Sequence, residues 1–148
     1  MKFRLISQIL GVGLVVFSLF QLLPILLALI YQENSIISFA YSFLITLTSG
    51  FFLIGVNFNK KYEDLRIRDG FLLTVLLWFT YSIFASLPFI LINTGNLSIV
   101  NAYFEAVSGL TTTGASILTN LDAELKSVLF YRALLCLLYT SPSPRDDR

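Results

Sequence analysis

Long uncharged runs dominate the first two thirds of the chain. Residues 5–32 contain no charged side chain, and a second uncharged run follows Glu33, from residue 34 to residue 59. A third apolar run starts near Gly70 and continues to residue 92. A helix needs about 20 such residues to cross the hydrocarbon core of a membrane. The pattern therefore predicts three membrane-spanning helices.

The first run has a competing interpretation, a secretory signal peptide, because Lys2 and Arg4 resemble its basic leader. The apolar part of a signal peptide is normally about 7–15 residues long, much shorter than residues 5–32. We therefore expect a retained membrane helix, with a kink at Pro24 that neighbouring helices can tolerate.

Lysines and arginines occur in two clusters before Lys126: one precedes the first apolar run, and the other lies in "KKYEDLRIRD", residues 60–69. The positive-inside rule places such clusters in the cytoplasm. We therefore expect a cytoplasmic N-terminus and a cytoplasmic segment 60–69. Residues 31–36 and 93–124 would then face outward.

A fourth helix-like segment, "LSIVNAYFEAVSGL", covers residues 97–110 after the turn signal "NTGN". Asn101 or Ser98 is a suitable N-cap. The segment spans about 21 Å, less than the roughly 30 Å of a hydrocarbon core, and it carries Glu105. A half-crossing is allowed only where protein surrounds it, so a re-entrant helix is predicted.

The polar stretch "TTTGAS", residues 111–116, follows this half-helix directly. Extended backbone offers one carbonyl per residue, and several oxygens are needed to replace the water of a potassium ion. Threonine favours extended backbone and adds a hydroxyl oxygen. Gly114 permits a φ value that other residues avoid. The tetrapeptide alone would fit any polar loop, but its position after a re-entrant helix favours an ion filter.

The last apolar stretch starts near Leu125 and reaches only Tyr139, which is short for a crossing. Outer helix, half-helix, polar loop and return helix together form the helix–pore–helix layout of cation channels. The predicted fold class is an all-α integral membrane protein: a two-helix N-terminal segment, then one helix–pore loop–helix repeat truncated in its last helix.

Composition agrees with a membrane protein, because 56% of the 148 residues are hydrophobic and 13% are charged. Soluble domains carry about 25% charged residues. With no His and one Cys, Cys136, the chain lacks the residues for a zinc site, a disulfide framework or a His-based triad. No basic stripe interleaves with aromatic residues, so no nucleic-acid binding is expected. With no nucleophile–base pair visible, an enzyme is not predicted.

The stretch "NAYFEAVSGLTTTGASIL", residues 101–118, resembles the first pore loop of the Trk-type bacterial potassium-uptake subunits, the TrkH/TrkG family. The resemblance extends through "RDGFLLTVLLWF" and "LPFIL" upstream and "LFYRALL" downstream, and covers about residues 1–135. It implies an N-terminal transmembrane helix pair, a cytoplasmic basic loop and a first pore-forming repeat, at residues 1–60, 61–69 and 70–135. Within the repeat, the outer helix, pore helix, filter and return helix are expected at 70–92, 98–110, 111–115 and from about 125.

The resemblance also implies a function: potassium transport in the bacterial inner membrane, by a chain with four non-identical repeats. Such chains usually pair as homodimers and are gated by a cytoplasmic nucleotide-binding partner of the TrkA type. The carbonyls of Thr111, Thr112, Thr113 and Gly114 would line one quarter of the selectivity filter. Thr112 and Thr113 are the expected direct contacts of K⁺, which is the transported ion and not a cofactor. Only a threonine and a glycine are shared with the "TVGYG" of potassium channels, so a less strict filter is expected.

Several interpretations stay open at this level. Glu105 either attracts cations or, as we prefer, accepts hydrogen bonds that hold the filter in shape. Arg132 either pairs with Glu105 or anchors its own helix locally. The basic loop either contacts the regulatory partner or reflects topology alone. The tail "CLLYTSPSPRDDR", residues 136–148, departs from the family and resembles translated sequencing-adapter read-through, so no role is expected for it.

Two other functions are compatible with the pattern. A short channel could assemble as a tetramer of identical chains, which would close a ring of carbonyls. A small non-conducting membrane adaptor would need no filter geometry at all. The adaptor predicts that Gly114→Ala is silent, whereas a filter predicts lost or less selective potassium transport.

Overall fold

The computed structural model describes residues 3–56, 67–92, 98–118 and 124–138. Within these ranges the chain is all helical, as predicted from the sequence, and contains no strand. The five helices are α1 (Phe3–Ile30), α2 (Ile36–Gly55), α3 (Ile67–Ile92), α4 (Ile99–Leu110) and α5 (Lys126–Leu138).

Three of these helices are long and apolar enough to cross a membrane: Arg4–Ile30, Ile36–Gly55 and Ile67–Ile92, with mean hydropathies of 2.5, 1.8 and 2.1. Their outward faces carry large apolar side chains. On α3, for example, Phe71 is 76% exposed and Phe79 is 61% exposed. Apolar surface of this kind is suited to contact with lipid acyl chains.

Some helix limits differ from those expected. Helix α3 begins at Ile67 instead of Gly70, whereas α5 ends at Leu138, next to the expected end of the last apolar stretch at Tyr139. Helix α1 continues through Pro24, and α3 continues through Pro88. Three expectations lie outside the described residues: the basic residues Lys60, Lys61 and Arg66, the turn at 93–96, and the tail from residue 139 onward.

Helices α1 and α2 pack so closely that their backbones nearly touch. A Cβ atom on Gly11 would lie 2.9 Å from the carbonyl oxygen of Gly50, and one on Gly50 would lie 3.0 Å from that of Gly11. Distances below about 3 Å are not tolerated by real Cβ atoms. Two glycines therefore set the separation of this helix pair, as small residues do at membrane helix crossings.

Tyr131 of α5 joins α2 to α3. Its ring lies 5.5 Å from the ring of Phe39 on α2 and 5.5 Å from that of Phe89 on α3. Its hydroxyl donates a hydrogen bond of 3.1 Å to the carbonyl oxygen of Ala85. Aromatic packing and a satisfied hydroxyl fix the rotation of α5 at this point, and the next residue is Arg132.

Candidate functional site

Helix α4 is a short, capped helix that packs between α3 and α5. Of the two N-caps considered, Ser98 is the one used: its hydroxyl accepts a hydrogen bond of 3.3 Å from the N–H of Asn101. Twelve residues give a length of about 18 Å, too short to cross a membrane. One face of α4 is buried, through Ala102, Glu105, Ala106, Ser108, Gly109 and Leu110. The helix therefore has the protein surroundings that a re-entrant element requires.

The loop after α4 folds back onto the end of the helix before it leaves. The N–H groups of Thr112 and Thr113 each donate a 3.1 Å hydrogen bond to a carbonyl in the last turn of α4. Gly114 has a φ of 73°, a left-handed value of the kind that a glycine at this position was expected to permit. Thr112 also has a positive φ, 57°.

The expectation of extended backbone is therefore wrong at Thr112. A positive φ is uncommon for a β-branched residue and costs energy. The reason is that Thr112 and Thr113 satisfy carbonyl groups at the end of α4, as capping turns at helix C-termini commonly do. The backbone preference of threonine alone does not predict this conformation, because it takes no account of the carbonyl groups at the end of the preceding helix.

The backbone carbonyls of the loop fall into two groups. The carbonyl of Thr111 accepts a bond of 2.7 Å from the hydroxyl of Thr112. The carbonyls of Gly114 and Ala115 each accept a 3.1 Å bond from Nη2 of Arg132. Along the described ranges, no donor is found at the carbonyls of Thr112 and Thr113. Residues 111–117 are exposed in the isolated chain, and these two carbonyls without a donor are the open carbonyls of the loop.

Glu105 is fully buried, and both of its carboxylate oxygens are used. Oε1 lies 2.8 Å from Nε of Arg132 and accepts a 3.0 Å hydrogen bond from the hydroxyl of Ser116. Oε2 accepts a 3.1 Å hydrogen bond from the N–H of Ile117. A buried carboxylate is tolerated when it is paired and hydrogen-bonded in this way. The pairing of Glu105 with Arg132 that the sequence left open is thus present.

Ser108 supplies a further contact that sequence reasoning missed. Its hydroxyl donates a 2.6 Å hydrogen bond to the carbonyl of Ala115. Ser108 follows Glu105 by three positions, so both side chains lie on one face of α4. That spacing could have indicated a polar face toward the loop. Ser116, which bonds to Glu105, had no such local signal.

The geometry defines the class of protein: an all-α membrane protein in which a half-helix with one buried face leads into a polar loop braced by the Glu105–Arg132 ion pair. A scan against protein-family models found no model that matches the chain. Individual proteins do match. The chain is 41% identical to the Trk system potassium uptake protein TrkH of Vibrio parahaemolyticus over 135 residues, which is 91% of this chain and 28% of that protein.

TrkH of Escherichia coli K12 is 42% identical over 135 residues, again 91% of this chain and 28% of the relative. TrkG of the same organism is 34% identical over 136 residues, covering 89% and 27%. The crystal structure of the potassium transporter TrkH from Vibrio parahaemolyticus superposes with a TM-score of 0.85 at 39% identity, covering 91% of this chain and 29% of that one. Over 91% of its own length the chain is thus similar to the TrkH proteins, and it spans about 28% of the length of these curated relatives.

Proposed function

We propose that this chain takes part in the transport of potassium ions across a membrane, and that Thr111, Thr112, Thr113 and Gly114 line one quarter of a selectivity filter. The open carbonyls of Thr112 and Thr113 carry this proposal. A carbonyl without a donor is available to a cation, and rings of such carbonyls replace the water of potassium in channel filters. The relatives named above are potassium uptake proteins by name.

The position of the loop supports the same conclusion. The C-terminal end of α4 leads directly into the loop, and the partial negative charge of a helix C-terminus favours a cation. The carbonyl of Gly114 is already engaged by Arg132, which leaves it less free to turn toward an ion. Thr112 and Thr113 are therefore the stronger candidates for direct contact with K⁺, and Glu105 and Arg132 support the filter from behind.

The setting of the protein is part of the proposal. We place it in the bacterial inner membrane with its N-terminus in the cytoplasm, following the positive-inside rule. By family relationship, a homodimer and a cytoplasmic TrkA-type regulatory partner are the expected assembly. One pore loop supplies only a quarter of the oxygens around an ion, so the other three loops belong to the full transporter.

The test uses a chimera, in which residues 1–135 of this chain replace the matching segment of Vibrio parahaemolyticus TrkH. Uptake of the potassium analogue Rb⁺, and its inhibition by Na⁺, is measured in bacteria without potassium uptake of their own. Gly114→Ala should reduce Rb⁺ uptake or its preference over Na⁺, because alanine is strained at a φ of 73°.

The matched control is Gly55→Ala in α2, where an added Cβ would meet nothing within 4 Å. It should leave Rb⁺ uptake and selectivity unchanged. If Gly114→Ala behaves like this control while the chimera transports Rb⁺, the loop is not a filter and the proposal fails.

A further inference from the structure

Glu33 lies in the short segment that joins α1 to α2, yet its carboxylate contacts the start of α5. Its oxygens accept hydrogen bonds from the N–H groups of Lys126, at 2.8 Å, and Ser127, at 3.2 Å. The hydroxyl of Ser127 also donates to Glu33. Ser35 completes the cluster: its hydroxyl lies 2.9 Å from that of Ser127 and 3.4 Å from Oε2 of Glu33.

This arrangement is a helix N-cap supplied by a distant part of the chain. The first N–H groups of a helix have no partner within it, and a carboxylate both accepts from them and interacts well with the helix dipole. Helix α5 has no acidic residue in its own first turn. Glu33 therefore provides what the local sequence of α5 lacks. The ammonium group of Lys126 lies 4.2 Å from the ring centre of Tyr31, which adds a second contact between the same two segments.

The charge state of Glu33 fits this role. Burial alone raises the pKa of its carboxyl group, but the hydrogen bonds from Ser127, Lys126 and Ser35 more than offset that effect. The pKa of Glu33 is consequently lowered from its ordinary value. The group is thus anionic at neutral pH, the form that accepts all of these hydrogen bonds.

Helix α5 links this cap to the pore loop. Arg132 lies six positions after Lys126, about 9 Å along the helix. Its guanidinium group contacts Glu105 and the carbonyls of Gly114 and Ala115. A shift of α5 along its axis would displace these three contacts together, because the helix is a rigid unit on this length scale.

We infer that Glu33 is a positioning residue of the pore loop, which acts by holding the start of α5 and thereby setting the place of Arg132. The inference rests on the proposed filter function. It assigns a role in ion selectivity to the α1–α2 segment, which contacts the start of α5. The N-terminal helix pair is then a support for the pore repeat and not a separate unit.

The experiment compares Glu33→Gln with Glu124→Gln in the TrkH chimera. Both variants remove one negative charge close to the start of α5, but only the first weakens the cap, because glutamine has one acceptor oxygen where the carboxylate has two. Glu33→Gln should lower the preference for Rb⁺ over Na⁺ roughly fivefold, the low end of typical coupling between linked sites. Glu124→Gln should leave it unchanged. Glu33→Asp, which keeps the charge, should restore part of the preference. If Glu33 acted only in membrane insertion, its substitution would change the amount of protein in the membrane and not the ion selectivity.

A second pair of variants covers the case in which Glu33→Gln does not accumulate. Lys126→Pro removes one of the two N–H groups that Glu33 binds, at a helix position where proline is well tolerated. Lys126→Ala keeps that N–H but removes the ammonium group. Selectivity should fall in the proline variant and not in the alanine variant. Equal selectivity in the two would overturn the inference.

Gly114→Ala, measured in the same assay, distinguishes failure of the inference about Glu33 from failure of the filter proposal. If it alters selectivity while both Glu33→Gln and Lys126→Pro match their controls, the inference is wrong and the filter stands. If neither Gly114→Ala nor the Glu33 variants alter selectivity, the filter proposal fails and the inference fails with it.

Discussion

The helix pair α1–α2 and the loop after α4 are held together by different forces. The helix pair relies on shape, since the backbones meet at Gly11 and Gly50. Two buried polar atoms there, Oε1 of Gln21 and Oγ of Ser42, have no hydrogen-bond partner among the described residues. Where α4 meets the loop that follows it, by contrast, both oxygens of the buried Glu105 are paired.

The difference follows from where each region satisfies its backbone. A helix pairs its N–H and C=O groups internally, so two helices need only fit against each other. The loop after α4 has no such ladder, and its conformation depends on side chains that come from α4 and α5. Changes of shape should therefore damage the helix pair, and changes of charge should damage the loop.

The largest expected effect is at Glu105. Glu105→Met removes the carboxylate partner of the Arg132 guanidinium, whose side chain is only 14% exposed, and breaking a buried pair from one side typically costs about 3–5 kcal/mol. Replacing Arg132 by Met as well should recover most of this stability, because no buried charge then remains. Thermal unfolding of the purified chimera in detergent measures both. Equal losses in the single and double variants would show that charge is not what holds the loop.

A smaller loss is expected at Gly50. Gly50→Ala forces a Cβ atom to within 3.0 Å of the carbonyl of Gly11, and overpacking of this kind costs about 1–3 kcal/mol. Gly55→Ala, with open space around the added Cβ, is the matched control. The same thermal measurement applies. If the Gly50→Ala chimera is as stable as the control, close packing of the two backbones is not what holds the helix pair together.

Ser98→Ala tests whether α4 needs its own cap as well as the contacts of its far end. Loss of a serine N-cap costs about 1 kcal/mol. The unfolding temperature of the chimera should fall slightly, with Rb⁺ selectivity unchanged because the loop end of α4 is untouched. A selectivity change in Ser98→Ala would mean that the two ends of α4 are not independent.

The smallest effect is the pH dependence of the Glu33 cap, because this carboxylate is partly exposed and water competes for its hydrogen bonds. Its pKa is lower in the folded protein, so its contribution is fully present above the ordinary value of 4.5 and disappears as the pH falls through the folded value. The unfolding temperature of the chimera should therefore decline more, as the pH falls from 7 to well below 4.5, than that of its Glu33→Gln variant, with Glu124→Gln as the reference. Parallel declines in all three would contradict the expected linkage.

Much of the fold could be predicted from local pattern. The three long uncharged runs indicate the spanning helices, because length and hydropathy are properties of a single segment. The short segment before the loop indicates a half-helix for the same reason, and Ser98 was one of its two possible caps. These features need no knowledge of what the segments pack against.

The site could be predicted only in part. The position of the loop and the identity of its four residues came from the segment itself and from its resemblance to a family. The positive φ of Thr112 could not be predicted in this way, because it results from hydrogen bonds to the carbonyls at the end of α4. The contacts of Ser116 and Ile117 with Glu105 were likewise not visible, since the chain must turn back before they can form.

The sequence by itself therefore determined the membrane-spanning helices, the half-helix and the chemistry that the loop can offer, because each depends on residues close together in the chain. Only the tertiary structure decided which charges meet. Glu33 caps a helix whose start lies 93 positions away, and Arg132 reaches the carbonyl of Gly114 from 18 positions away. Such contacts depend on the packing of five helices around one core, and the residue pattern of a single helix does not predict that packing.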